Sequence, residues 1–283
     1  MSAGVIINAD DFGLSPGVNR GIVAAFREGV LSSTTMLVNL AAFDDAVRLA
    51  REQPELPIGV HLSLLWGRPV SAAADVPTLV DGAGCFPRSP GTLARRYFLG
   101  RLSLDQAALE FRNQIRAFRG AGLKPTHVDT HKHVHCLPGI LEAVLAAARE
   151  FGIDKLRLPS EERPAGGRAP RPSWSGAGRR RLIRFLCRGA RGKLRAAGMR
   201  TTDHFVGIAH GDGLNSELLT LILSSLGPGV TEIMCHPGYD DEEALRYSAK
   251  PARRELELES LKHPLVKEEI ASRGIRLMHY GDL

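Results

Sequence analysis

The sequence predicts an α/β protein with parallel strands, arranged as an open sheet or as a barrel. About seven short β-branched or apolar runs alternate with helical patterns of period 3.6. With 43% hydrophobic and 24% charged residues over 283 positions, the chain has an ordinary globular composition and enough length for a full core. There is no internal repeat at a solenoid period, and no GxGxxG or GxxxxGK[ST] phosphate loop. Strand–helix–strand units of this kind are joined by right-handed crossovers.

The first strand is 5–8. Ser15 and Pro16 read as N-cap and first residue of a helix whose Val18, Ile22, Ala25 and Phe26 share one face before Gly29 stops it. A second strand is predicted at 34–38, a helix at 43–51 ended before Pro54, and a third strand at 58–62, apolar around Gly59 and His61. Residues 66–92, rich in Gly, Pro and Ala, predict a long loop. Ser103 with Gln106 three residues on is a capping-box signature, opening a helix to about Arg119. Strand 126–130, helix 138–151, strands 154–158 and 204–208, helix 216–226 and strands 231–235 and 274–279 complete the pattern. The whole chain, 1–283, reads as one domain carrying an insertion at 161–200.

The net charge of +6 is unevenly spread. Residues 163–200 hold eleven Arg, one Lys and no acid, so these 38 positions carry +12 and the rest of the chain −6. Residues 161–178, built of Pro, Gly, Ser and Arg, predict a flexible linker. Residues 179–196 predict an amphipathic helix. Ile183, Leu186, Cys187, Ala190 and Leu194 share one face, Arg180, Arg181, Arg184, Arg188, Arg191 and Arg195 another, with Leu182 and Phe185 broadening the apolar side. Such a helix either covers the core with a solvated arginine face or lies on an anionic membrane surface. A nucleic-acid-binding protein is the reading from another class. Only 6% of residues are aromatic, and the insertion offers only Trp174 and Phe185 for stacking, so no nucleic-acid partner is expected. No apolar run approaches the roughly 18 residues of a membrane span, and the start of the chain lacks the basic segment of a signal peptide. The cysteines, Cys85, Cys136, Cys187 and Cys235, are far apart without a CxxC pair, which predicts reduced thiols in a cytoplasmic protein, extending to the inner face of the membrane.

Chemically capable groups gather where strands end, the place where α/β sheets and barrels keep their sites. Asp10 and Asp11 follow the first strand. His61 ends the third. His127, Asp129, His131, His133 and His135 occupy alternate positions, which in an extended segment face one way. His236, held extended by Pro237, follows the 231–235 strand. Each has a bland reading: adjacent aspartates as turn residues, His61 as a satisfied core histidine, the histidine run as a polar strand end, His236 as a packed loop residue. Four imidazoles on one face favour at least one metal ligand. Two adjacent carboxylates can divide metal binding from proton transfer.

The stretches 8–15 (NADDFGLS), 59–62 (GVHL), 125–135 (PTHVDTHKHVH) and 234–237 (MCHP), in this order, resemble the motifs of the YdjC-like carbohydrate deacetylases. That family includes chitooligosaccharide deacetylases and deacetylases of hopanoid biosynthesis. The resemblance runs from residue 5 to about 160 and resumes from about 201, leaving the insertion outside it. It implies a TIM-barrel-like (β/α) fold and hydrolysis of an N-acetyl group on a sugar with one divalent ion such as Mg²⁺ or Zn²⁺. Asp11, His61 and His131 are the implied metal ligands, Asp10 the general base and His236 the general acid. The implied nucleophile is water activated by the metal, and the products are acetate and a glucosamine-type amine. The expected partners are an N-acetylated oligosaccharide or glycolipid substrate, a membrane surface met through residues 179–196, and a second copy in a homodimer. Competing readings are a non-haem Fe(II) oxygenase built on one Asp and two His, against which the strand–helix rhythm argues, and a sugar-binding module without catalysis.

Overall fold

β1 (Ala3–Phe12) is the axis on which the molecule is built. It is followed by α1 (Pro16–Glu28), β2 (Ser33–Met36), α2 (Phe43–Glu52), β3 (Ile58–Leu62), α3 (Pro90–Phe98), α4 (Leu104–Gly120), β4 (Val128–Thr130) and α5 (Ile140–Glu150). Then come α6 (Trp174–Leu186), α7 (Ala190–Ala196), β5 (His204–Val206), α8 (Ser216–Ser224), β6 (Gly229–Cys235), α9 (Glu242–Tyr247), α10 (Arg253–Lys262), α11 (Pro264–Ser272) and β7 (Arg276–Leu277). The structure, a computed structural model, describes residues 3–162, 174–211, 213–247 and 252–283.

The strands lie in the order β4-β3-β2-β1-β6-β5, with β7 also pairing β1, and every pair is parallel. Parallel pairing buries both faces, which is why β1 and β3 are almost wholly buried. Two isolated parallel bridges, Val128↔Leu156 and Lys155↔Arg200, carry the sheet beyond β4, so the strand expected at 154–158 is present only as these bridges. The sheet curls into a half-barrel, and the α/β class expected from the strand–helix rhythm is the one observed.

Local chemistry sets several boundaries as the sequence predicts. Ser15 caps α1 by accepting from the Val18 N–H, with Pro16 in the first turn, and Gly29 ends it. Ser103 caps α4, but its capping box is only half made. The Gln106 side chain turns away to accept from the backbone and hydroxyl of Thr78, and the Thr78 Oγ1 takes the Ser103 N–H instead. The loop expected over 66–92 ends in a further short helix, α3, capped by Ser89.

The segment read as an insertion differs from expectation. Its helix begins at Trp174, inside the segment read as linker, while residues 163–173 lie outside the described residues. It is also broken: Gly189, at φ 78°, separates α6 from α7, a left-handed position that suits glycine. Leu182 and Phe185 do not join the buried side; each is 58% exposed. Arg191 is no free surface charge either, since its guanidinium donates to the carbonyls of Thr202 and Asp203.

Candidate functional site

Adjacent residues of a regular strand point to opposite faces, so Asp10 and Asp11 should diverge. They do not, because β1 carries a bulge. Ala9 pairs with Thr34 and Phe12 with Met36, three steps on one strand against two on the other. Asp11 takes up the extra residue at φ 71°, a left-handed conformation that Asp tolerates better than most side chains. Both carboxylates thereby face His61, whose Nε2 is 4.0 Å from Asp10 Oδ2 and 3.7 Å from Asp11 Oδ1.

His61 is oriented from behind. Its Nδ1 lies 2.7 Å from Asp129 Oδ1 and 3.2 Å from Thr35 Oγ1, both buried. The carboxylate fixes the tautomer with the proton on Nδ1 and leaves the Nε2 lone pair aimed into the site. Burial alone would depress the His61 pKa, but Asp129, Asp10 and Asp11 raise it above the ordinary value.

The extended histidine segment is not observed. The strand stops at Thr130, and 131–136 form a 3₁₀ turn with Lys132 and His133 at φ 53° and 56°. His131 alone of the four histidines joins the site. His127 stacks on Tyr280 at 3.7 Å between ring centroids. His135 bonds Thr130 and the Arg157 carbonyl, and His133 meets the edge of Phe205. His131 packs on Trp66, and burial, then Lys132 and His61, outweigh Asp11 and pull its pKa down to about 4.

Arg157 is the residue that holds this arrangement together. Fully buried, it grips both oxygens of Asp10 at 2.7 and 2.8 Å, bonds Glu232 at 2.8 Å and contacts Asp129. A bidentate guanidinium–carboxylate pair fixes direction as well as charge. Burial would raise the Asp10 pKa, yet Arg157, with His61, holds it well below the usual carboxylate range. Beneath, Tyr280 donates to Glu232 at 2.5 Å, extending a polar column into the barrel. Arg254, from α10, plays the corresponding part for Asp11, donating to its Oδ2 at 2.6 Å.

Two donor groups are close enough to share an ion, Asp11–His61–His131 and Asp10–His61–Asp129, each within 4.8 Å. In the second, Arg157 already takes oxygens of both carboxylates, so a cation stands where an ion would have to sit. In the first, Asp11 Oδ1 accepts no hydrogen bond and lies 3.2 Å from His131 Nδ1, which in turn lies 3.3 Å from His61 Nε2. Ligand atoms about 2.1 Å from one ion sit roughly 3.0–3.4 Å apart, so these spacings fit a divalent cation.

His236 follows β6, whose register with β1 pairs Cys235 with Ala9 and so places His236 beside Asp10. Its loop is clamped: the His236 N–H donates to Glu257, and a Cβ on Gly21 of α1 would meet Gly238 Cα at 2.4 Å, so only glycine lets the helix come this near. His236, His131 and Asp10 line one cleft of about 470 Å³ whose walls are mostly apolar, with Leu93, Phe98, Leu182, Ile183, Leu186 and Met234, joined by the polar side chains of Lys132, His133 and Arg179.

Asp10, Asp11, His61, His131 and His236 thus lie around one centre. Sequence reasoning missed Arg157, Arg254, Glu232 and the supporting role of Asp129. The sequence carried a local signal for two of them. Glu232 stands inside the otherwise uncharged run 231–235 and Arg157 between Leu156 and Leu158, and such groups are buried only when paired.

Comparison with known proteins agrees with this geometry. The YdjC-like protein family model matches residues 4–272. A carbohydrate deacetylase of Brevibacillus brevis is 37% identical over 280 residues, covering 99% of each chain. A chitooligosaccharide deacetylase of Yersinia enterocolitica is 34% identical, covering 98% of each. A solved structure from Enterococcus faecalis V583, described as a candidate cellobiose-phosphate cleavage protein, superposes with a TM-score of 0.80 at 31% identity, covering 100% of this chain and 99% of that one. Fold and site define an α/β enzyme of the carbohydrate deacetylase class. The chain belongs to the YdjC-like family.

Proposed function

We propose that the protein is a metal-dependent N-deacetylase acting on an N-acetylated sugar, with Asp11, His61 and His131 holding one divalent ion. The observation that carries the reading is the Asp11 Oδ1–His131 Nδ1–His61 Nε2 set, partly without hydrogen-bond partners and opening on the cleft beside Asp10. An ion there supplies Lewis acidity, lowering the pKa of water and polarising an amide carbonyl. Asp10, kept ionised and aimed by Arg157, accepts the proton of the attacking water as its oxygen bonds the acetyl carbon. His236 donates a proton to the sugar nitrogen as the C–N bond breaks, releasing acetate and a free amine.

The apolar walls support a finer substrate assignment. A soluble oligosaccharide needs hydroxyl partners along its length; Lys132, His133 and Arg179 supply a few, whereas Phe98, Leu182 and Leu186 offer none. They suit an N-acetylated sugar bearing an apolar aglycone, a glycolipid. Trp174, Leu182 and Phe185, 97%, 58% and 58% exposed among arginines, would meet the membrane that carries it. No helix among the described residues is long and apolar enough to cross a membrane.

The test is acetate release from N-acetylglucosamine oligosaccharides and from N-acetylglucosaminyl lipids, before and after chelation and with Zn²⁺, Ni²⁺ or Mg²⁺ restored. Activity on either substrate that chelation abolishes and metal restores supports the reading; full activity in the chelated protein overturns it. Leu182→Ser should raise KM about tenfold for the lipid substrate and leave the soluble one unchanged, in line with the loss of a few buried methylenes.

A further inference from the structure

We propose that Cys136 and Cys187 are a disulfide-forming pair, oxidised by low-molecular-weight disulfides, that fastens helix α6 to the turn bearing His131. The inference is independent of the proposed activity. The two sulfurs lie 3.5 Å apart although 51 residues separate them, and both residues are buried, at 7% and 6% exposure. An approach of roughly 1.5 Å brings them to the 2.05 Å of a disulfide bond. Neither of the other cysteines has this arrangement: Cys235 donates its thiol to the Asn8 carbonyl, and Cys85 lies by its own loop at Ala83.

A small cavity of about 70 Å³ opens on both sulfurs, and its charged lining is Arg188 and Lys193. Cations beside a thiol favour the thiolate, the form that attacks. Contact with Cys136 holds the Cys187 pKa below its ordinary value, and the same contact together with burial pushes Cys136 well above. Cys187, which directly precedes the cavity-lining Arg188 in the chain, is the attacking sulfur of this proposal. Its thiolate bonds one sulfur of the oxidant and expels the other as a thiolate. Cys136, losing its proton, then attacks Cys187 Sγ and expels the second. Two protein thiols lose two electrons and two protons, and one small disulfide becomes two thiols.

The bond would join two walls of the substrate cleft. Cys136 closes the 3₁₀ turn that begins at His131 and itself lines the cleft, while Cys187 follows Leu186, which lines it from α6.

The experiment treats the full-length protein with glutathione disulfide, alkylates the remaining thiols and maps the peptides by mass spectrometry. Expected are a peptide linking Cys136 to Cys187, a mass two hydrogens lower, reversal by dithiothreitol, and a Tm higher by roughly 5 °C for a loop of this length. Cys136→Ser should instead accumulate a stable glutathione adduct on Cys187. Full alkylation of both cysteines after oxidation, or bridges and adducts confined to Cys85 or Cys235, overturns the proposal; so does a stable adduct on Cys187 in the unsubstituted protein. The peptide map of the unsubstituted chain decides the matter whether or not the variant folds.

Discussion

Arginine has two lives in this molecule. At the rim of the sheet, Arg157 is fully buried and binds Asp10, Asp129 and Glu232, and Arg254 is nearly buried against Asp11. On α6 and its C-terminal end, Arg181, Arg184 and Arg188 stand in solvent, and the Arg184–Glu162 pair is 4.0 Å long and exposed on both sides. The same side chain is structural where water is excluded and solvated where it is not. Removing one partner of a buried ion pair costs about 3–5 kcal/mol, whereas an exposed pair is worth about 0–1 kcal/mol. The charge that dominates the composition therefore contributes little to the fold, and a few charges hidden in apolar strands contribute much.

The largest expected effect is on the rim. Asp10→Asn should lower kcat by roughly 10²–10⁴ while elemental analysis finds the metal retained, and His131→Ala should lose metal and activity together. Equal metal loss in both variants would end the division of labour between the aspartates. Next, Arg157→Met should destabilise the protein by about 3–5 kcal/mol in urea unfolding, and Arg188→Met by less than about 0.5 kcal/mol. Similar losses would erase the contrast between the two settings. Third, changing Arg181, Arg184 and Arg188 together to Glu should weaken binding to anionic vesicles by roughly a hundredfold or more at low salt, at about 1 kcal/mol per charge, with binding to neutral vesicles weak throughout. Vesicle binding untouched by the change would make α6 a plain cover for the sheet.

The smallest effect concerns pH. Burial, reinforced by Arg157, holds the His127 pKa well below its ordinary 6.5, so the folded protein keeps this ring neutral. Above pH 6.5 neither state takes the proton. Below it the unfolded chain takes the proton and the fold refuses it, so stability falls as the pH drops, by about 1.4 kcal/mol per pH unit for each such histidine. His127→Phe should remove one such share of the slope between pH 6.5 and 5, measured as unfolding free energy against pH. An unchanged slope would place the acid sensitivity elsewhere.

Much of this was legible beforehand where local chemistry decides. Ser15 and Pro16 opened α1 where expected, Ile58–Leu62 is the third strand, and the groups expected at strand ends meet at one rim. What failed depended on partners distant in sequence. Period-2 geometry placed four histidines on one face, but Lys132 and His133 turn left-handed and release His133 and His135 to other neighbours. The helical pattern of 179–196 carried no account of what Leu182 or Arg191 would meet: Leu182, expected on the apolar side, is 58% exposed, and Arg191, exposed as expected, is tied to the carbonyls of Thr202 and Asp203. Arg254 gave no sign at all, since it stands on a polar helix 243 residues from Asp11.

The bulge at Asp11 has a consequence for anyone who engineers this chain. Deleting one residue between Ala9 and Phe12 would let β1 and β2 pair without interruption and would relieve a left-handed aspartate, a conformation costing of order 1 kcal/mol or more. The resulting sheet would be more regular, and one carboxylate would point away from His61. A campaign that selects only for heat resistance would thus find reward in repairing the one irregularity the chemistry uses. Libraries built on this scaffold should hold residues 9–12 fixed in length and screen for turnover before they screen for melting.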